Sequence, residues 1–188
     1  RRRLHALARA RWARFNCGGF TTKLSIYLEA LSLIMMLVVT CVSFWIHLYS
    51  AEFMAPDEGY SRYFAYMNLF VGSMLTLVLA DNLLLLFIGW EGVGLCSYLL
   101  IGFYFLRRSA SDAGKKAFIV NRIGDAGFIL GLFLLVGTLG TLRFTEVGPA
   151  ISAGGFAVGN GLMTAIWLRL FGGSTRQSGE IPLDAWRP

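Results

Sequence analysis

The sequence predicts an all-α fold: a polytopic transmembrane helix bundle of about five spans. Three observations carry this. The 188 residues are 56% hydrophobic, with a mean hydropathy of +0.60, whereas soluble domains are about 45–50% apolar. Only 15% of the residues are charged, against about 25% in soluble domains. The apolar residues fall in long runs, the clearest being residues 83–106, LLLLFIGWEGVGLCSYLLIGFYFL. That run is long enough for a bilayer crossing, which takes about 20 residues.

Charge and cysteine usage narrow the function classes. The net charge is +6. The basic residues gather in the first fourteen positions and in the links between apolar runs. That pattern points to membrane headgroups or topology control and away from nucleic acid. Cys17, Cys41 and Cys96 are far apart. No Cys-x-x-Cys or Cys/His ligand spacing is present, so no metal site or iron–sulfur cluster is predicted. The cysteines read as small apolar residues in or near helices. No G-x-G-x-x-G and no P-loop occurs, so no nucleotide site is recognisable.

Two domains are predicted, residues 1–23 and 24–188. Residues 1–16, RRRLHALARARWARFN, hold six arginines and no acid. Leu4, Leu7, Ala8 and Trp12 can line one helical face. The composition suits an organelle transit segment or its remnant, and equally a basic amphipathic anchor on anionic lipid. The chain starts without Met, which favours processing or missing upstream sequence.

The first span is predicted over residues 24–49, with Glu29 near its start and His47 near its end. His47 reads as an interfacial or packed histidine more readily than as a proton carrier. Residues 51–62, AEFMAPDEGYSR, read as a loop. The second span covers 64–80 and meets Asp81-Asn82. That pair predicts a tight turn, because Asx side chains bond their own backbone, so Asp81 reads as a turn or cap residue before a transport site. The third span, 83–106, follows at once, making an antiparallel hairpin. Residues 107–116, RRSASDAGKK, are expected as a basic loop. The fourth span covers 117–142, and residues 143–155 read as a Gly-containing loop. The fifth apolar run, 156–171, contains Arg169 and is expected to stop at Gly172-Gly173. The tail STRQSGEIPLDAWRP then suggests a helix broken at membrane depth, as transporters use at ion sites. An interfacial loop after a finished span fits as well.

Glu91 is the one charge in the third run and sits roughly at its middle. A carboxyl there costs on the order of 2.5–3.5 kcal/mol on insertion scales, which makes it a functional candidate by default. A structural carboxyl paired with a neighbouring helix is the plain alternative. Arg122 and Asp125 share one helix face at i, i+3; they neutralise each other for insertion, or face the bundle interior. With a helix rise of 1.5 Å per residue, Glu91 lies roughly 22 Å from the basic loop and Asp125 roughly 12 Å. The two carboxyls are therefore expected at different depths. They are then not a dyad sharing one proton, but steps on one hydrated route with waters or side chains between them.

The segment GYSRYFAYMNLFVGSMLTLVLADNLLLLFIGWEGVGLCSYLLIGFYF closely resembles the antiporter-like chain 5 of NADH:ubiquinone oxidoreductase, respiratory complex I. LSLIMMLVVTCVSFWIHLYS and KKAFIVNRIGDAGFILGLFLL resemble the same family, so the likeness runs from about residue 24 to the end. The resemblance implies part of a bundle of about fifteen helices with two inverted five-helix repeats, which moves protons along an axis of charged residues. It places Glu91 on the family glutamate of the first half-channel, and Arg122 and Asp125 on the helix after the basic loop. RQSGEIPLDAW resembles the family's broken helix, but the family lysine aligns with Gln177, and Arg176 precedes it. Arginine does not titrate in proteins and glutamine has no proton to give. Arg176 then acts as a fixed charge, or this half-channel is altered.

The resemblance thus implies a proton-translocating membrane-arm component of complex I, coupling NADH-to-ubiquinone electron transfer to pumping. The alternative is a scaffold that has lost its half-channel; a free-standing cation/proton antiporter is the third reading. The translocation residues expected are Glu91, Asp125, Arg122 and Arg176, with Gln177, Asp81 and His47 secondary. No catalytic side chain and no cofactor is expected in this chain; NADH, FMN, iron–sulfur clusters and ubiquinone are expected elsewhere in the complex. Expected partners are other membrane-arm subunits, phospholipids and a separate chain carrying the rest of the subunit. The expected location is the mitochondrial inner membrane. The basic loop and the arginine block are expected on opposite sides of it, against the positive-inside tendency.

Overall fold

The computed structural model describes residues 8–17, 20–156 and 159–178. The chain starts with an antiparallel hairpin, β1 (Ala8–Cys17) and β2 (Phe20–Leu28), paired from Ala8↔Leu28 to Cys17↔Phe20 with an irregularity between Arg11 and Ala13. Among the described residues six helices follow: α1 (Ala30–Phe53), α2 (Tyr60–Val78), α3 (Leu83–Ile101), α4 (Arg108–Leu139), α5 (Phe144–Ala153) and α6 (Gly161–Ser178). Fold class is as predicted, a helical bundle, with the hairpin as the exception.

The hairpin replaces two expectations. A helical face through Ala8 and Trp12 is absent, because those residues lie in β1. The first span starts at Ala30 and not at residue 24, because Phe20–Leu28 pairs as β2. Glu29 is the N-cap of α1, its N–H donating to Ser32 Oγ at 2.9 Å in a capping box. Ile26 bridges to Ala80, so the hairpin sits at the end of the bundle where α2 meets α3. Residues 107–116 lie at the opposite end of α3, and the first seven residues of the arginine block lie outside the described residues.

The α2–α3 hairpin is present. Asn82 caps α3 by accepting from Leu85 N at 2.9 Å, the role expected of an Asx residue there. The two helices touch backbone to backbone: a Cβ added to Gly89 would lie 2.6 Å from Leu77 N, and one on Gly92 2.5 Å from Ser73 Oγ. Small residues at such a seam allow close helix approach.

Beyond α3 the sequence understates the helix. Residues 108–116 are not a loop but the first turns of α4, which runs for 32 residues. The expected loop at 143–155 contains α5, with Pro149 inside it. Gly140, at φ 69°, ends α4 in the left-handed conformation that glycine takes at little cost. Nor does α6 stop at Gly172-Gly173; it continues to Ser178. Gly173 serves packing, since a Cβ there would meet the Phe128 side chain at 2.9 Å, whereas one at Gly172 would meet nothing within 4 Å.

Helices α1, α3 and α4 are long and apolar enough to cross a membrane. The expected second and fifth spans correspond to α2 and α6, of 19 and 18 residues. They are less apolar, because α2 carries Arg62 and Asn68 and α6 carries Arg169 and a polar last turn. The apolar core joins α4, α5 and α6 through Phe128, Leu132, Leu135, Val147, Met163, Ile166 and Leu170, with Leu83, Leu84 and Phe87 of α3 packed on it. This core fixes α4 against α3, and the charged site lies just beyond it.

Candidate functional site

Helices α3 and α4 run antiparallel, and their contacts form a ladder. Phe87 stacks on Phe128 at 5.6 Å. Trp90 Nε1 donates to Asp125 Oδ1 at 2.9 Å. Glu91 pairs with Arg122. Tyr98 meets Phe118 at 5.3 Å. The contacts advance from residue 87 to residue 98 along α3 while they run back from residue 128 to residue 118 along α4. One helical face of each strand of the hairpin is thus committed to the other.

At the middle of that ladder Arg122 holds two acids. It forms an ion pair with Glu91 through one terminal nitrogen and lies 3.4 Å from Asp125 Oδ2 through the other. The guanidinium also stands 4.8 Å over the Phe118 ring, a favourable place for a cation. Gly94 clears the space, since a Cβ there would lie 3.3 Å from Arg122 Nη2. Asp125 is almost fully buried, with 4% side-chain exposure, while Glu91 and Arg122 keep 25% and 35%. The set therefore opens at its Glu91 edge and is closed at Asp125. Arg122 Nε and Asp125 Oδ2 are buried without a hydrogen-bond partner among the described residues.

The carboxyls come together because α4 begins nine residues earlier than expected. Asp125 is seventeen residues into α4, roughly 25 Å from its start at 1.5 Å per residue. That brings Asp125 level with Trp90, one residue from Glu91. The expected difference in depth is thereby corrected. Arg122 stands between the two acids.

The other candidates lie elsewhere. Arg176 and Gln177 fall in the last turn of α6, and their side chains lie outside the described residues, as does the Pro182 region. His47 Nδ1 is 2.7 Å from Ser43 O on its own helix, and its ring packs 5.8 Å from Phe64. Asp81 lies at the α2–α3 link, 1% exposed, with Ser25 Oγ donating to it at 2.6 Å and Arg143 at 3.3 Å. It is a link residue, as expected, although Asn82 and not Asp81 makes the cap. Neither His47 nor Asp81 belongs to the Arg122 set.

Trp90 escaped the reading of the sequence. Its signal was an indole N–H inside an apolar run, a group that needs an acceptor when buried. Arg143, Glu146 and Ser25, which surround Asp81, carried no sequence signal, because three separate segments bring them together.

The family described as "NADH:quinone oxidoreductase/Mrp antiporter, TM" matches residues 80–188. The family described as "NADH-Ubiquinone oxidoreductase (complex I), chain 5 N-terminus" matches residues 12–64, so the likeness begins within β1. The chain is 48% identical over 175 residues to NADH-quinone oxidoreductase subunit L of Escherichia coli (strain K12), covering 93% of this chain and 28% of that protein. The subunit L of Pseudomonas aeruginosa is 49% identical with the same coverage. That of Mycobacterium tuberculosis is 46% identical over 169 residues, 90% of this chain and 26% of that protein. The chain thus spans little more than a quarter of these curated relatives. A solved structure of the Mrp complex from Dietzia sp. DQ12-45-1b superposes with a TM-score of 0.80, covering 95% of this chain and 19% of that one; at 24% identity it shows the fold alone. On the family matches and the bacterial relatives together, this chain belongs to the transmembrane family of NADH:quinone oxidoreductase and Mrp antiporter subunits.

Proposed function

We propose that this chain forms part of a proton path in the membrane arm of an NADH:quinone oxidoreductase, where electron transfer from NADH to quinone drives pumping. The observation that carries the reading is Arg122 shared between Glu91 and Asp125 at the middle of two membrane-length helices. One guanidinium cannot neutralise two carboxylates, so one proton balances the set. An unpaired carboxylate in an apolar medium is too costly to persist and takes up a proton instead. When Arg122 leans toward Asp125, Glu91 binds a proton at its more open edge. When Arg122 returns to Glu91, that proton is released, and the charge left on Asp125 is held for that interval by the Trp90 N–H. Arg122 keeps its own charge throughout. Asp125 is held in place by Trp90, so Glu91 is the group that exchanges.

The redox chemistry belongs to other subunits; NADH, FMN, iron–sulfur clusters and ubiquinone bind there, and this chain carries no redox centre in this reading. Its partners are other membrane-arm subunits and phospholipids. Arg176 is proposed as a fixed charge on the same path. The Arg-rich, acid-free first residues support a mitochondrial inner membrane. The bacterial relatives favour a bacterial plasma membrane as the second placement, and fractionation of the source cells separates the two.

A scaffold role is the second reading, favoured by Gln177 at the family lysine position. Replacing Glu91→Gln in the assembled complex decides between them. Pumping driven by NADH oxidation in sealed vesicles should drop at least several-fold while the complex still assembles. Pumping equal to the unsubstituted complex would leave the scaffold reading.

A further inference from the structure

A second carboxylate–guanidinium–carboxylate set lies where α3 begins. Arg143 Nη2 is 3.3 Å from Asp81 Oδ2, and Arg143 Nη1 donates to Glu146 Oε1 at 2.6 Å. The pattern repeats that of Arg122: the arginine takes one acid from the α3 side and another three residues further along its own helix. Ser25 Oγ from β2 donates to Asp81 Oδ2 at 2.6 Å, and Thr141 Oγ1 donates to Glu146 Oε2 at 2.7 Å. Side-chain exposure climbs from 1% at Asp81 to 28% at Arg143 and 46% at Glu146. The set therefore leads from the interior to the surface.

Two facts argue against a clasp alone. The segments are already joined by main chain: Tyr27 N to Leu79 O at 3.0 Å, Asp81 N to Ser25 O at 3.1 Å and Leu83 N to Leu142 O at 3.0 Å. And Asp81 Oδ1 is buried with no hydrogen-bond partner among the described residues. A carboxylate oxygen sealed from water and unpaired is costly, and a clasp would not need it. The charged groups paired around Asp81 are Arg143 and Glu146 from the α4–α5 segment, joined by the hydroxyls of Ser25 and Thr141, and Glu29 lines the pocket beside Ala80 and Phe144. Asn82 beside it is turned to Leu85 N. The Thr141 hydroxyl donating to Glu146, helped by Arg143 and opposed by partial burial, holds that carboxyl below the usual glutamate range, so Glu146 stays charged at neutral pH.

We propose that Asp81 is a second proton-binding carboxyl, which exchanges protons with the aqueous side through the Arg143–Glu146 pair. In the unprotonated state the set carries two negative charges and one positive. One proton on Asp81 Oδ1 makes it neutral and frees Arg143 Nη2 to turn wholly to Glu146. The return of Arg143 to Asp81 expels that proton outward past Glu146, with Arg143 losing none of its own. About 12 Å of α3 separates Leu83 from Glu91 at 1.5 Å per residue, and the intervening side chains Leu83, Leu84 and Phe87 are apolar. The two sets are thus separate sites on one chain. The proposal rests on the proton-path reading above.

The test uses the assembled complex in sealed native vesicles, with Asp81→Asn, Glu146→Gln and Glu91→Gln made one at a time. Asp81→Asn, which keeps a partner for Ser25, should lower NADH-driven pumping at least threefold. Glu146→Gln, an exposed position, should move the pH of half-maximal pumping by half a unit or more. Infrared titration should show a carboxyl C=O band that Asp81→Asn removes. If Asp81→Asn does not accumulate in the membrane, the Glu146→Gln profile decides. An unchanged profile in Glu146→Gln, or a full carboxyl band and unchanged pumping in Asp81→Asn, overturns the proposal. Loss of pumping in Glu91→Gln beside silent Asp81 and Glu146 variants sinks the second site alone. Unchanged pumping in all three sinks the proton path itself.

Discussion

Trp90→Phe isolates a single interaction. The phenyl ring keeps the stack on Phe128, whose centroid is 5.8 Å from the indole, and removes the N–H that Asp125 accepts at 2.9 Å. Interhelical hydrogen bonds in membranes average about 0.6 kcal/mol and reach about 1.7. Bonds to charged groups contribute about 1.5–3 kcal/mol. Asp125 is 3% exposed and charged when paired with Arg122, so the overlap of the two ranges, about 1.5 kcal/mol, is the expected cost. Cys96 reports it well, because it is 0% exposed on α3 and reacts only when the bundle opens. In a complex with Cys17 and Cys41 replaced by Ser, labelling of Cys96 should speed up about tenfold, since 1.4 kcal/mol is a factor of ten. In an Asp125→Asn background the acceptor is neutral, and the same change should cost only about 0.6 kcal/mol. Equal acceleration in both backgrounds would show no coupling between the residues and would refute the hydrogen bond as the source.

Three further outcomes follow from the same geometry. Gly89→Ala pushes a methyl to 2.6 Å from Leu77 N; overpacking of about 1–3 kcal/mol outweighs the helix preference of alanine, about 1 kcal/mol, and Cys96 labelling accelerates. Gly72→Ala meets nothing within 4 Å and should slow it or leave it unchanged. Gly94→Leu should displace Arg122 from Glu91 and lower pumping as Glu91→Gln does, with Gly94→Ala milder because only the end of a long side chain must yield. Glu146 has a lowered folded value, so it adds stability above the unfolded glutamate value of about 4.3 and loses it as pH falls through the folded one. Thermal unfolding scans below about pH 4.3 should therefore show a shallower acid loss for Glu146→Gln than for the unsubstituted protein.

Periodicity and run length located α1, α2, α3 and α4, because hydrocarbon sets both the length and the polarity of a crossing. They failed where polarity was taken to mean coil. Residues 108–116 are polar because they leave the apolar layer, yet they stay helical, and Lys115 pairs with Asp112 at 3.7 Å along the helix. That misplaced boundary shifted Asp125 by two and a half turns and hid its contact level with Glu91. The arginines of residues 1–16 suggested an amphipathic helix, but the partner sequence FTTKLSIYL is rich in β-branched and aromatic residues, and pairing with it decides the local structure. Arg122 beside Asp125 was legible as an i, i+3 pair. The third member was not, since no spacing rule links residue 91 to residue 122. Gly172-Gly173 looked like a break; a neighbouring aromatic, Phe128, explains Gly173 instead, and no contact explains Gly172.

The continuous course of α6 bears on which ions can use this membrane segment. Transporters that carry bare sodium unwind a helix and lend its carbonyl oxygens to the ion. From Gly161 to Ser178 the α6 helix has no unwound turn, so its peptide oxygens before the last turn are spent on the helix itself. Along that stretch a dehydrated metal cation finds no main-chain cage, whereas a hopping proton needs none.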